Sequence, residues 1–187
     1  MKKVNLTIEK KSYNAREAIR TLRTNLQFCG DDKQVILVTS CIPGEGKSSI
    51  AVSLAESIAE MGKSVILVDA DIRKSVMASR LEISDVDKGL SHFLSGQCNL
   101  SDVIYATNIP KFHILLSGPE APNSTELLES KRFSGMLESM KNVYDYIIID
   151  CPPLGLVIDA AIVGRQSDGA IIVVEAGKTK YRLVQNV

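Results

Sequence analysis

Residues 40–49 read SCIPGEGKSS, a stretch whose residue types suit gripping a phosphate. Gly44 and Gly46 let backbone N–H groups turn inward around anionic oxygens. Lys47 adds a cation that can reach β- and γ-phosphates, and the Ser48 hydroxyl is placed to ligate Mg²⁺. Residues 35–39 read as a strand and residues from Lys47 onward as a helix, so the positive end of that helix meets the same anion as the loop. Pro43, Gly44, Glu45, Gly46, Lys47, Ser48 and Ser49 form the expected nucleotide-binding run, with Ser49 a residue of the following helix. Cys41 occupies the position where the general G-x-x-x-x-G-K-[ST] pattern has its first glycine. An ordinary glycine-rich turn capping a helix is the competing structural explanation, and the strand and helix flanks weigh against it.

Binding alone does not transfer a phosphoryl group, so carboxylates are needed at the ends of neighbouring strands. VILVDADIR supplies Asp69 and Asp71 where a buried strand emerges. In extended geometry residues two apart face the same side, so one carboxylate can serve as metal ligand and the other as base, in either order. Arg73 follows at the next same-side position, as a site residue or as half of a local ion pair. YIIIDCPP supplies Asp150 at the end of a second apolar run, a Walker B arrangement, and Pro152 and Pro153 forbid further ladder pairing. Asp150 is expected to hold Mg²⁺ directly or through water.

The elements that position these groups are legible as apolar runs. VILVTS from Val35, SVILVD from Ser64, FHILLS from Phe112, YIIID from Tyr146 and AIIVVE from Ala170 are continuous rather than alternating, as in strands buried on both faces. Between them Ile50, Leu54, Ile58 and Met61 mark one face of a helix over residues 48–61. Alternating strands and helices predict an α/β, three-layer, mostly parallel twisted sheet flanked by helices, with ligands beyond the carboxyl ends of the strands. Residues 1–27 and 80–109 break the alternation, and small helices above the strand ends are expected in the second of these.

A length of 187 residues with 45% hydrophobic positions suits a single domain over 1–187 with an N-terminal arm at about 1–27. Lys plus Arg equals Asp plus Glu at 22 each, so no overall field draws the chain to nucleic acid or an anionic membrane. Apolar runs of five or six residues are too short for a bilayer, and the start carries no apolar export segment. Cys29, Cys41, Cys98 and Cys151 form no C-x-x-C pair, which points to a reducing cytoplasm.

Together these motifs resemble those of the bacterial tyrosine kinases of capsule and exopolysaccharide synthesis, cytoplasmic proteins on a phosphate-loop ATPase fold. The loop matches at Ser40, Pro43, Gly46, Lys47 and Ser48, the D-x-D-x-R motif at Asp69, Asp71 and Arg73, and the Walker B motif at residues 147–153. The related partition and septum-positioning ATPases carry a lysine five positions before the loop lysine, where this chain has Ile42. An E-x-x-R-x-x-R motif matches Glu17, Arg20 and Arg23, for which the resemblance implies subunit contacts in a ring. Read from spacing alone, Ala15, Ile19, Leu22 and Leu26 form one helical face and the three charged residues lie largely opposite. APNSTELLES is similar to the family's P-N-P-S-E-L-L segment, with Ser124 and Thr125 departing from it.

The resemblance implies ATP and Mg²⁺ on the 40–49 loop, Asp69 accepting a tyrosine proton, Asp71 and Asp150 holding the metal with Ser48, and Lys47 stabilising charge on the transferred phosphate. It also implies a membrane-embedded activator, or polysaccharide co-polymerase, that recruits the kinase to the inner face of the membrane, and an opposing tyrosine phosphatase. Family members end in a final helix and strand and a tyrosine-cluster tail, so a sequence stopping at Val187 is expected to be a catalytic core without them. Tyr13, Tyr105, Tyr144, Tyr146 and Tyr181 form no cluster and are read as structural. The rival readings are a nucleotide-dependent assembly switch of the partition or septum-positioning type, without tyrosine phosphorylation, and an adaptor with a dead site.

Overall fold

A strand covered on both faces has no polar side to alternate with, and four of the five apolar runs accordingly form the parallel centre of one sheet. The fifth, from Ala170, is expected to be covered likewise but lies at the sheet edge among the described residues, with Ile172 41% exposed. The computed structural model describes residues 2–30, 32–84 and 86–186. In chain order the elements are β1 (Lys3–Val4), α1 (Tyr13–Phe28), β2 (Val35–Ser40), α2 (Lys47–Glu60), β3 (Val65–Asp69), α3 (Met77–Arg80) and α4 (Leu90–Leu94). There follow β4 (Tyr105–Thr107), β5 (Phe112–Leu115), α5 (Ser124–Glu129), α6 (Lys131–Lys141), β6 (Tyr146–Asp150), α7 (Asp159–Gly164), β7 (Gly169–Val173) and α8 (Tyr181–Asn186). The sheet order is β1-β4-β5-β3-β6-β2-β7. Val187, on which the expectation of a missing tail turns, lies outside the described residues.

Two apolar cores follow from the two covered faces. On one, Leu37, Val68 and Ile149 pack against Phe93 of α4, Leu128 of α5, Phe133 and Met140 of α6, and Ile162 of α7. On the other, Ile36, Leu67 and Ile148 pack against Leu54 and Ile58 of α2 and Met77 of α3. Alternate residues along β2, β3 and β6 thus feed opposite cores, which gives the three layers predicted from sequence.

Three further details differ from the reading of the sequence. β1 and β4 lie in the segments read as irregular; β1 runs parallel to β4, and β4 is antiparallel to β5. Two- and three-residue strands at a sheet edge carry no periodicity to detect. The buried side of α2 is wider than a single stripe: Ala51, Ala55 and Ala59 are buried with Leu54 and Ile58, whereas Met61, just beyond the helix, is 45% exposed. The small residues let α2 fit between the sheet and α1.

Arg23 is the third difference. Its Nη1 donates to the Ser57 carbonyl and hydroxyl, both at 2.9 Å, so it docks α1 onto α2 rather than standing in an open charged stripe. Arg20 and Glu17 do form an exposed pair at 2.6 Å. All four cysteines are free, and among the described residues no helix is long and apolar enough to cross a membrane.

Candidate active site

β2, β6 and β3 end side by side, which assembles the site. Val38 pairs with Asp150 and Asp150 with Asp69, so the loop following Ser40 and both strand-end carboxylates share one edge of the sheet. Cys151 makes the last ladder bond of β6, to the Val38 carbonyl at 3.0 Å, before Pro152 and Pro153 carry the chain away.

Gly44 and Gly46 have φ of +84° and +88°, a left-handed conformation that a side chain would strain. A Cβ at either would meet nothing within 4 Å, so backbone conformation and not crowding requires glycine there. Gly155 is different: a Cβ there would lie 2.4 Å from the Cys41 carbonyl oxygen. The chain after β6 is laid directly on the phosphate loop, with Leu154 N–H donating to Ser40 O at 2.8 Å and Gly155 N–H to Cys41 O at 3.1 Å. Cys41 is fully buried beneath that contact, and burial raises its thiol pKa, so it acts as a small filler and not as a reactive group.

At the head of α2, Lys47 Nζ lies 3.3 Å from Ser48 Oγ and 4.0 Å from Asp71 Oδ2. β3 stops at Asp69, so Asp71 does not reach this place by continuing the strand, as the extended-geometry argument supposed. The chain turns, and the Asp71 N–H donates back to Asp69 Oδ1 at 3.3 Å.

Asp69 is 1% exposed, and burial pushes its pKa up to about 7. The nearby Asp150 and Asp71 carboxylates push the same way. Donation to Oδ2 from the Ser75 hydroxyl and from the Ser117 N–H, the latter at 3.4 Å, opposes them. Asp150, equally buried, is raised to about 6 by burial, with Lys47 and Ser48 acting against the rise.

Arg73 forms an ion pair, one of the two roles the sequence allowed it, but with a partner 86 residues away and not a local one. Its Nε and Nη2 donate to Asp159 Oδ2 and Oδ1 at 2.6 and 3.0 Å, and Nη2 also donates to Thr125 Oγ1 at 2.9 Å. Ser124 and Thr125 hydroxyls donate to the same carboxylate at 3.2 and 3.1 Å, so the two positions that depart from the family pattern are both used. Burial would raise the Asp159 carboxyl, but Arg73, Thr125 and Ser124 hold it below the ordinary aspartate value.

Two further residues of the expected nucleotide run engage protein partners through their side chains. Ser49 Oγ accepts from Arg80 Nη1 at 2.7 Å. The Glu45 carboxylate accepts the N–H of Ile42 at 2.8 Å and of Glu175 at 3.2 Å. Of the tyrosines, Tyr105 and Tyr144 are buried, their hydroxyls meeting Lys88 O and His113 Nδ1, whereas Tyr13 and Tyr181 are exposed.

A magnesium ion fits the donors present. Asp150 Oδ1 is buried without a hydrogen-bond partner, an open acceptor at the strand end facing Lys47 and Ser48.

A parallel sheet with a glycine-turned anion loop at the head of a helix, and carboxylates on the adjoining strand ends, defines a phosphate-loop nucleotide-binding protein. A protein-family profile described as an AAA domain matches residues 33–184, and the tyrosine-protein kinase CpsD of Streptococcus agalactiae serotype III is 44% identical over 169 residues, or 90% of this chain and 73% of that protein. The chain belongs to the bacterial tyrosine-kinase family. Among solved structures, the kinase domain of Escherichia coli tyrosine kinase ETK is similar with a TM-score of 0.90 and 31% identity, over 96% of this chain and 71% of that one. The septum site-determining protein MinD of Pyrococcus horikoshii OT3, solved with Mg-ADP, is similar with a TM-score of 0.65 and 30% identity, over 75% of this chain and 57% of that one.

Proposed function

We propose that the protein is an ATP-dependent protein-tyrosine kinase and that Asp69 is its general base. The observation that carries this reading is a buried carboxylate with a pKa of about 7, at a strand end next to the phosphate loop, whose hydrogen-bond donors are the Ser75 hydroxyl and the Ser117 and Asp71 N–H groups. A base with a pKa near the working pH is the one best able to take a proton in the transition state. Lys47 is the cation for the transferring group, and the Gly44–Gly46 backbone supplies the amides around it.

In this reaction the phenol oxygen attacks the γ-phosphorus, the bond to the β–γ bridging oxygen breaks, and ADP leaves with that electron pair. Asp69 takes the phenolic proton, and Lys47 stabilises charge on the equatorial oxygens. Ser48, Asp71 and Asp150 would hold Mg²⁺, which when bound neutralises phosphate charge and orients the leaving group. Holding reactants in line accounts for much of the acceleration in such a site.

The family's role in capsule or exopolysaccharide synthesis and export is carried over as part of this proposal. With it come transfer in trans within a ring that uses Glu17, Arg20 and Arg23, a membrane-embedded activator or co-polymerase that recruits the kinase to the inner membrane face, and an opposing tyrosine phosphatase. The exposed Glu17–Arg20 pair is available for such a contact, whereas Arg23 is engaged with α2.

Incubation with ATP and Mg²⁺, with and without a tyrosine-rich peptide, followed by phosphosite mass spectrometry, tests the activity. Phosphotyrosine that depends on Lys47 is the expected result. Inorganic phosphate released without any protein modification would replace this reading with the assembly-switch ATPase.

A further inference from the structure

Glu45 sits between the two left-handed glycines of the phosphate loop, yet its side chain is buried and taken by protein donors. Oε2 accepts the Ile42 N–H at 2.8 Å, within the loop itself. Oε1 accepts the Glu175 N–H at 3.2 Å and the Thr179 hydroxyl, both on the chain that leaves β7. That chain is a formed turn, with the Lys178 and Thr179 N–H groups each donating to the Glu175 carbonyl at 3.2 Å. Lys178 pairs with the Glu175 carboxylate at 2.8 Å, so the turn also holds its own charge.

Burial alone would raise the Glu45 carboxyl, but the Thr179 hydroxyl and the backbone N–H groups of Ile42, Glu175 and Cys41 hold it below the ordinary glutamate value. It is therefore an anion at neutral pH, and hydrogen bonds to an anion are stronger than neutral ones. One rigid carboxylate thus joins two segments 130 residues apart in sequence. The joined backbone on the loop side is the one whose amide directions decide how a phosphate is held.

We propose that Glu45 is a positioning residue for the nucleotide: it fixes the phosphate-loop backbone by tying it to the turn at residues 175–179, so that ATP binds at full affinity only while that turn is docked. The inference rests on the ATP-binding reading above and adds a second anchor for the loop. By reciprocity of coupled equilibria, ATP must stabilise the docked turn by the same factor by which the docked turn strengthens ATP binding.

The test measures Mg-ATP affinity by titration calorimetry, KM and kcat for ATP, and amide hydrogen exchange at Ile42 and Glu175, for the unaltered protein and for Glu45→Ala, Glu45→Gln and Thr179→Val. Thr179→Val leaves the loop's own residues intact and is expected to weaken ATP several-fold; Glu45→Ala is expected to weaken it by about tenfold or more, with the loss mainly in KM. Glu45→Gln, which keeps the shape and one acceptor, is expected to fall between unaltered protein and Glu45→Ala. ATP is expected to slow exchange at the Glu175 amide in the unaltered protein and much less in Glu45→Ala. Should Glu45→Ala fail to fold, the other two variants carry the test. If Thr179→Val and Glu45→Gln both bind ATP within twofold of the unaltered protein, or if ATP leaves Glu175 exchange unchanged, the inference is wrong while the kinase reading stands. Absence of ATP binding by the unaltered protein removes both.

Discussion

Asp69 and Asp150 are cross-strand partners at the ends of β3 and β6, both 1% exposed. Two carboxyl groups held this way, with pKa values raised to about 7 and about 6, make the stability of the nucleotide- and magnesium-free protein depend on pH. A carboxyl with a raised native pKa binds its proton more tightly in the folded chain. Its stabilising contribution is full below the unfolded value near pH 4 and is lost as pH rises through the native value. Thermal unfolding is therefore expected to show stability falling between about pH 4 and pH 7. Asp69→Asn should flatten that fall and be more stable than the unaltered protein at pH 8, by on the order of 2–4 kcal/mol. Equal slopes for the two proteins would show that Asp69 does not carry the effect.

Catalysis should respond to the same substitution in the opposite sense. Removing a general base costs roughly 10²- to 10⁴-fold in turnover, so Asp69→Asn should lose phosphotransfer while holding ATP within a few-fold of the unaltered affinity. Lys47→Met should abolish transfer. Single-turnover rates and nucleotide titrations separate the two effects, and normal transfer by Asp69→Asn would move the base elsewhere.

Asp69 and Asp150 were legible from sequence because a strand buried on both faces has to end where its apolar run ends, and the residue there is polar for a reason. Asp159 had no such signal. It begins a six-residue helix, and its partners Arg73, Ser124 and Thr125 come from two other segments. Ser75 and Ser117, which donate to Asp69, and Thr179, which donates to Glu45, are equally silent, since no periodicity reports a contact between distant segments. Arg23 is a different case: it follows the buried Ile19 by four residues, so helical spacing sets it beside the buried face of α1, and only its acceptors, the Ser57 carbonyl and hydroxyl of α2, are beyond the sequence.

Loss of the Asp159 carboxylate leaves the Arg73 guanidinium and two hydroxyls without their common acceptor. Because Arg73 is partly in solvent, Asp159→Ala is expected to cost about 2–4 kcal/mol in denaturant unfolding, below the upper range for a fully buried pair. Asp159→Asn should cost less. A cost under about 0.5 kcal/mol for the alanine variant would mean that the cluster does not hold the fold together.

The charged residues of α1 are expected to separate cleanly. The exposed Glu17–Arg20 pair contributes roughly 0.2–0.5 kcal/mol, so Arg20→Ala should leave unfolding nearly unchanged. Arg23→Ala removes two hydrogen bonds to α2 and should cost about 1–2 kcal/mol. Chemical denaturation beside sedimentation velocity reads both quantities. Assembly lost in Arg20→Ala at unchanged stability would mark a subunit contact, while the same loss in Arg23→Ala would be entangled with the undocking of α1.

Among the described residues β1 forms one edge of the sheet, and Lys3 lies opposite Ala106. During synthesis those residues have no neighbour to pair with until β4 has left the ribosome. Closing so long a loop adds little to the equilibrium cost but delays the contact. β1 is therefore made well before its partner and is among the last strands to find its place, so lengthening the connection between β1 and β4 should slow the final step of folding far more than it lowers stability.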